Sequence, residues 1–210
     1  YQIDSNDLAL IYFQKSLTLS SELGDKNLMA SCLGNISNLY STNGNTNMAL
    51  EYLFRVLSIY EEINSSIGII QTCDNIGVAY KKQGNYDLAI KYADKSLRIA
   101  QNFKVLQEIN DASRLLYDLY KIKGKNSKAL KMLELYNETK DSLIKINAIE
   151  EGIKMQEKRI YEKQQLSDSL AHQKEKSIIK IKHEHAIKDE ESKRYFLYGG
   201  LVLFLVFSTF

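Results

Sequence analysis

Few side chains in this sequence are of a type that could hold a metal or attack a substrate. Two cysteines, Cys32 and Cys73, and three histidines, His172, His183 and His185, are its soft or borderline ligands. The cysteines match no metal-binding spacing and are too few for a disulfide framework, so they read as small buried hydrophobes. His183 and His185 stand two apart, roughly 200° around a helix, and cannot grip one ion from one face. All three histidines read as surface residues. Residues 1–147 contain no histidine, no nucleophile–base–orienter set and no phosphate loop, so no catalytic residue, cofactor site or metal site is expected there. The chemistry that remains is hydrogen bonding from polar side chains held at regular positions.

The elements that would hold them follow from composition and repetition. The chain has 210 residues and no proline, which favours long uninterrupted helices over sandwiches and barrels. Hydrophobic residues are 44% and charged ones 26%, an ordinary globular mix. Its 28 basic and 26 acidic residues leave a formal net charge of +2, which predicts no nucleic-acid partner. The chain begins at Tyr1 rather than Met and stops inside an apolar run, so a segment of a longer protein is expected.

Tyr40, Tyr80 and Tyr120 are spaced by 40, as are Gly44, Gly84 and Gly124, and Ala49, Ala89 and Ala129. Tyr is 14 and Gly 10 of the 210 residues; recurrence of both at two further steps is on the order of 10⁻⁵ by chance, so the repeat is real. Within a unit the apolar spacing is helical: Cys73, Ile76 and Val78–Ala79–Tyr80 form one stripe, and Leu88–Ala89–Ile90, Tyr92–Ala93, Leu97 and Ile99 another. Gly84 lies between them, where a helix C-terminus favours a left-handed residue. Each unit is therefore a helical hairpin. The alanine column lets the second helix lie close on the first, and each tyrosine can pack its ring between hairpins while its hydroxyl reaches water. Helices are predicted at 7–21, 28–43, 46–63, 67–83, 86–102, 107–123 and 126–146. The first is a second helix without its partner, and the hairpins 28–63, 67–102 and 107–146 follow it, about 3.5 hairpins within a domain at 1–147.

The order Tyr-x3-Gly-x4-Ala resembles the tetratricopeptide repeat. Ile76 and Gly77 match the aliphatic and small positions before the tyrosine, Ile36 with Ser37 is close, and Leu116 with Tyr117 departs. The alanine column extends back to Ala9, and the aromatic four after the alanine is met only by Phe13; the terminal proline is missing, and the period is 40 rather than about 34. Longer second helices and connections such as Leu23–Lys26 and Asn64–Ser66 accommodate the difference; another α-solenoid is the competing fold. The expected class is thus all-α, a tetratricopeptide solenoid.

A superhelix of hairpins offers a concave groove lined by the first helix of each pair. The outward polar positions on those helices are Ser31, Asn35 and Asn38, then Gln71, Asp74 and Asn75, then Asp111, Arg114 and Asp118. Asn35 and Asn75 are equivalent by the 40 step, and each precedes an isoleucine. The resemblance implies that this amide sits in the groove, where it can donate to and accept from a peptide backbone. Leu115 at the third unit shortens the row to two rungs. Amides that are merely solvated or cap neighbouring helices are the other reading.

From Ala148 the repeat stops. Residues 148–194 are rich in Lys, Glu and Gln and read as one long charged helix. A heptad runs through Ile146, Ile149, Ile153 and Ile160, then meets Lys163, Ser167, Lys174 and Ser177; a homodimeric coiled coil and a solvated spacer both fit. After Lys193 and Arg194, residues 195–210 carry no charge. At 1.5 Å per residue they cover ~24 Å, slightly short of a ~30 Å hydrocarbon core, so a transmembrane helix continuing past the end is expected. Tyr195 and Tyr198 fall where an interfacial aromatic belt would.

Repeats, charged helix and apolar run in this order resemble the input half of bacterial membrane sensors. There, tetratricopeptide repeats lie outside the cytoplasmic membrane, and an effector such as a SpoIIE-like phosphatase or a histidine kinase follows the span. The resemblance implies a single-pass inner-membrane protein with periplasmic repeats, a peptide or protein ligand in the groove, and lipid contact through 195–210. The alternative is a tail-anchored scaffold that faces the cytosol and tethers a complex.

Overall fold

The computed structural model describes residues 5–207, with side chains described over 6–198. Among the described residues there are seven helices and no strand: α1 Ser5–Glu22, α2 Lys26–Thr42, α3 Thr46–Glu62, α4 Ser66–Lys82, α5 Tyr86–Phe103, α6 Leu106–Ile122 and α7 Asn126–Phe207. Two compact units divide the chain, residues 1–147 and 148–210. The first is a tetratricopeptide-type solenoid of antiparallel helical hairpins.

Local chemistry sets the ends of these helices. Asp25 accepts from the Leu28 backbone N–H at 3.0 Å, Asn45 from Met48 at 3.2 Å and Ser65 from Gly68 at 3.3 Å. Each side chain satisfies a donor that the first turn leaves free. At the hairpin turns Gly44, Gly84 and Gly124 take φ of 78°, 75° and 65°, a region costly for residues with a Cβ. The chain can then reverse, so that the N–H groups of Asn45, Asn85 and Lys125 donate to the carbonyls of Tyr40, Tyr80 and Tyr120 at 2.8–2.9 Å. The connections between hairpins use the same left-handed geometry at Gly24, Asn64 (φ 53°) and Lys104 (φ 55°). That is a second 40-residue column, one of conformation rather than residue type.

Packing follows the alanine column. Ala49 and Ala89 are fully buried and Ala129 nearly so. Opposite the first two stand small residues: the Ser37 hydroxyl donates to the Ala49 carbonyl at 2.9 Å, and a Cβ at Gly77 would lie 3.3 Å from the Ala89 oxygen. The helices of these two hairpins touch nearly backbone to backbone there, whereas Tyr117 holds the equivalent position in the third. Tyr40 stacks on Tyr52 with ring centroids 5.5 Å apart, and Tyr80 on Tyr92 at 5.9 Å. Phe54 of the preceding hairpin meets Tyr92 edge-on at 5.8 Å and also contacts Tyr80. The tyrosines thus close their own hairpin as well as packing between hairpins. Cys32 and Cys73 are buried free thiols, and burial pushes the Cys73 thiol up to about 11, leaving it unreactive. Between α6 and α7 the buried Asn110 amide donates to the Tyr136 carbonyl at 2.9 Å and the Thr139 hydroxyl at 3.0 Å.

Residues 126–147 of α7 belong to the first unit; the rest of the helix makes up the second. Every residue from 148 to 198 is exposed, including Ile149, Ile153, Ile160, Leu170 and Ile181. Among the described residues no helix is long and apolar enough to cross a membrane. The run expected to do so, 195–210, is helical to Phe207, but its side chains from Gly199 onward lie outside the described residues. His172, His183 and His185 are exposed, and no His, Cys, Asp or Glu group among the described residues is arranged to hold a metal.

Candidate functional site

The hairpin turns and the 40-residue period put the same positions of α2, α4 and α6 on one face, and two adjoining clefts open along it. The first, about 240 Å³, lies between α2 and α4 and is lined by Ala30, Ser31, Gly34, Asn35, Asn38, Leu53, Val56, Tyr60, Gln71, Thr72 and Asn75. The second, about 740 Å³, lies between α4 and α6 and is lined by Gln71, Asp74, Asn75, Val78, Lys81, Gln107, Glu108, Asp111, Arg114, Leu115 and Asp118. All nine polar positions picked out from the sequence line one cleft or the other, and Gln71 and Asn75 line both.

The first cleft carries no charged side chain. Ser31, Asn35 and Asn38 are exposed, and the Tyr60 ring packs so tightly over Gly68 that a Cβ there would meet it at 2.5 Å. The second cleft is charged and internally braced. Gln71 Nε2 donates to Glu108 Oε1 at 3.1 Å, Gln107 Nε2 to Asp111 Oδ2 at 2.9 Å, and Lys81 Nζ pairs with Asp118 Oδ2 at 2.6 Å. Arg114 has no ion pair among the described residues.

Asp74 differs from the outward polar residue that the helical spacing suggested. It is mostly buried, and its Oδ1 has no hydrogen-bond partner. Burial pushes its carboxyl up to about 7, and the nearby charges of Asp111 and Glu108 add to the rise. The Ser96 hydroxyl beside it opposes the rise without a hydrogen bond of regular geometry.

Val78 also needs correction. Helical spacing assigned it to the core stripe with Ile76 and Ala79, yet it is 41% exposed and lines the second cleft. It stands one 40-step from both Asn38 and Asp118, so the repeat register was the signal that places it. The register likewise groups Gly34, Asp74 and Arg114 in one column, and Asn35, Asn75 and Leu115 in another. Lys81 shares a column with Ser41 and Lys121. Gln107 and Glu108 had no such signal, because their equivalents one repeat earlier are the apolar Ile67 and Gly68.

The tetratricopeptide repeat family is matched twice, over residues 1–62 and 75–103. Among solved structures the chain is similar to BtubC (BKLC) from P. vanneervenii, with a TM-score of 0.61 at 18% identity over 66% of this chain and 57% of that one. It is similar to aspartyl phosphate phosphatase F from Bacillus subtilis, with a TM-score of 0.64 at 16% identity over 66% and 37%. A third similar structure is a Rap protein complexed with Competence and Sporulation Factor, with a TM-score of 0.58 at 17% identity over 64% and 38%. The chain spans less than two thirds of each of these proteins. No curated protein matches the sequence.

Proposed function

We propose that the tetratricopeptide repeats of residues 1–147 bind an extended peptide or protein segment along the face of α2, α4 and α6. The observation that carries this reading is the adjacency of the two clefts, which share Gln71 and Asn75 and lie along the same helix face. Carboxamides at Asn35 and Asn75 can each donate to and accept from a peptide backbone whatever the ligand's side chains. The Rap protein of similar fold is complexed with Competence and Sporulation Factor, which supports ligand uptake by such a solenoid.

Titrating the full 210-residue chain with a degenerate capped nonapeptide pool tests this reading. Replacing both Asn35 and Asn75 with Ala should weaken binding by about tenfold or more, at roughly 1 kcal/mol per lost hydrogen bond. Unchanged binding would remove the amides from the site, and no binding by the native chain would remove the groove.

The proposal extends to the setting of the chain as the sensory input region of a membrane-anchored signalling protein. The uncharged run 195–210 behind Lys193 and Arg194 would hold the chain at a bilayer, and the exposed helix 148–194 would carry a conformational or oligomeric change. Flotation with phosphatidylcholine–phosphatidylglycerol vesicles tests the anchor. The full chain should rise with the vesicles and a chain lacking 195–210 should not; a full chain that stays at the bottom of the gradient overturns it.

A further inference from the structure

The two clefts are built from equivalent positions, yet only the one between α4 and α6 is charged. Four carboxylates line it, Asp74, Glu108, Asp111 and Asp118, against two cations, Lys81 and Arg114. Lys81 is engaged by Asp118, which leaves three carboxylates facing one guanidinium. Gln71 holds Glu108 and Gln107 holds Asp111, each through one oxygen, so both carboxylates are oriented before any ligand arrives. Asp74 lines the same cleft, its buried Oδ1 without a hydrogen bond of regular geometry and with only the Ser96 hydroxyl beside it. Val78 and Leu115 add apolar wall of the kind that covers the methylene stem of a long basic side chain.

We infer that the cleft between α4 and α6 seats a lysine or arginine side chain of the bound segment, its cation against Asp74, Glu108 and Asp111. The inference rests on the peptide-binding reading above and adds a charge preference to it. An anionic segment would bring a second negative charge against the Glu108 and Asp111 carboxylates that line the cleft, which favours a cationic occupant. The neutral cleft between α2 and α4 supplies no such preference, so the discrimination belongs to one half of the groove.

Four capped nonapeptide pools, degenerate in uncharged residues around a fixed central Arg, Lys, Gln or Glu, are titrated calorimetrically into the full 210-residue chain. The Arg and Lys pools should bind about tenfold or more tighter than the Glu pool. Asp74→Asn, and independently Asp111→Asn, should shrink that ratio, the Arg and Lys pools losing more affinity than the Gln pool. Lowering the pH from 8 to 6 should shrink it in the native chain. The groups that face Asp74 are Glu108 and Asp111 on α6 and Ser96 on α5, with Arg114 in the same cleft; the range brackets the Asp74 carboxyl, pushed up to about 7. Equal binding of all four pools overturns the cation site and leaves the groove standing, whereas no binding of any pool overturns both. Tighter binding of the Glu pool, or a ratio unchanged in both variants, overturns the placement of the cation.

Discussion

The cleft between α2 and α4 and the one between α4 and α6 share a set of repeat positions and differ in chemistry. Position by position, Ser31, Gly34, Asn35 and Asn38 in the first half correspond to Gln71, Asp74, Asn75 and Val78 on the shared helix, and to Asp111, Arg114, Leu115 and Asp118 beyond it. The repeat decides which positions face the groove, because hairpins stacked with one period present the same helix face. What those positions do is free to differ, because a solvent-facing site carries little packing constraint. One half became a neutral amide surface and the other a braced, net-negative recess more than twice as large.

Asp74→Asn should sharpen the contrast most. The folded chain holds the Asp74 proton up to about pH 7, whereas an unfolded aspartate releases it near 3.9. The folded state thus binds more protons between these values, so the residue makes stability fall as pH rises from 4 to 7 and then level off. The amide removes that loss: urea unfolding should show the variant more stable at pH 8 by about 2–4 kcal/mol, with the two chains converging below pH 4. A gain independent of pH would mean that the second cleft does not desolvate this carboxyl.

Gly68→Ala breaks the other half. Its Cβ would strike the Tyr60 ring, which must swing away or strain the backbone, at a cost of about 1–3 kcal/mol. Hydrogen exchange should quicken around α3 and α4 near the first cleft and stay unchanged at Glu108–Asp118. The smallest effect is expected at the counterpart of Asp74. A Cβ on Gly34 meets nothing within 4 Å, so Gly34→Ala should stabilise the chain by about 0.5–1 kcal/mol through helix propensity alone. Destabilisation there would show that the first cleft needs its glycine for packing.

The helical hairpins were readable because their causes are local and periodic. Small residues at Ala49 and Ala89 allow close contact, glycines at 44, 84 and 124 reverse the chain, and tyrosines end the first helices. Groove positions were readable for the polar residues on the outward faces of α2, α4 and α6, while Thr72, Lys81, Gln107 and Glu108 were missed. Where residue type and position disagreed the reading failed: Val78 looked like core, and Asp74 looked solvent-facing although Ser96, Asp111 and Glu108 crowd it. The left-handed turns at Asn64 and Lys104 were hidden for the same reason, since no glycine marks them.

By itself the order of residues determined the period, the helical hairpin and the face each position takes, because turn geometry and close packing act between neighbours in the chain or one repeat away. The dehydration of Asp74, the bracing of Glu108 by Gln71 and the unequal size of the two clefts were decided only by the tertiary structure. Each depends on side chains about 37 residues apart meeting across helices, where desolvation and charge are set by what lies nearby in space.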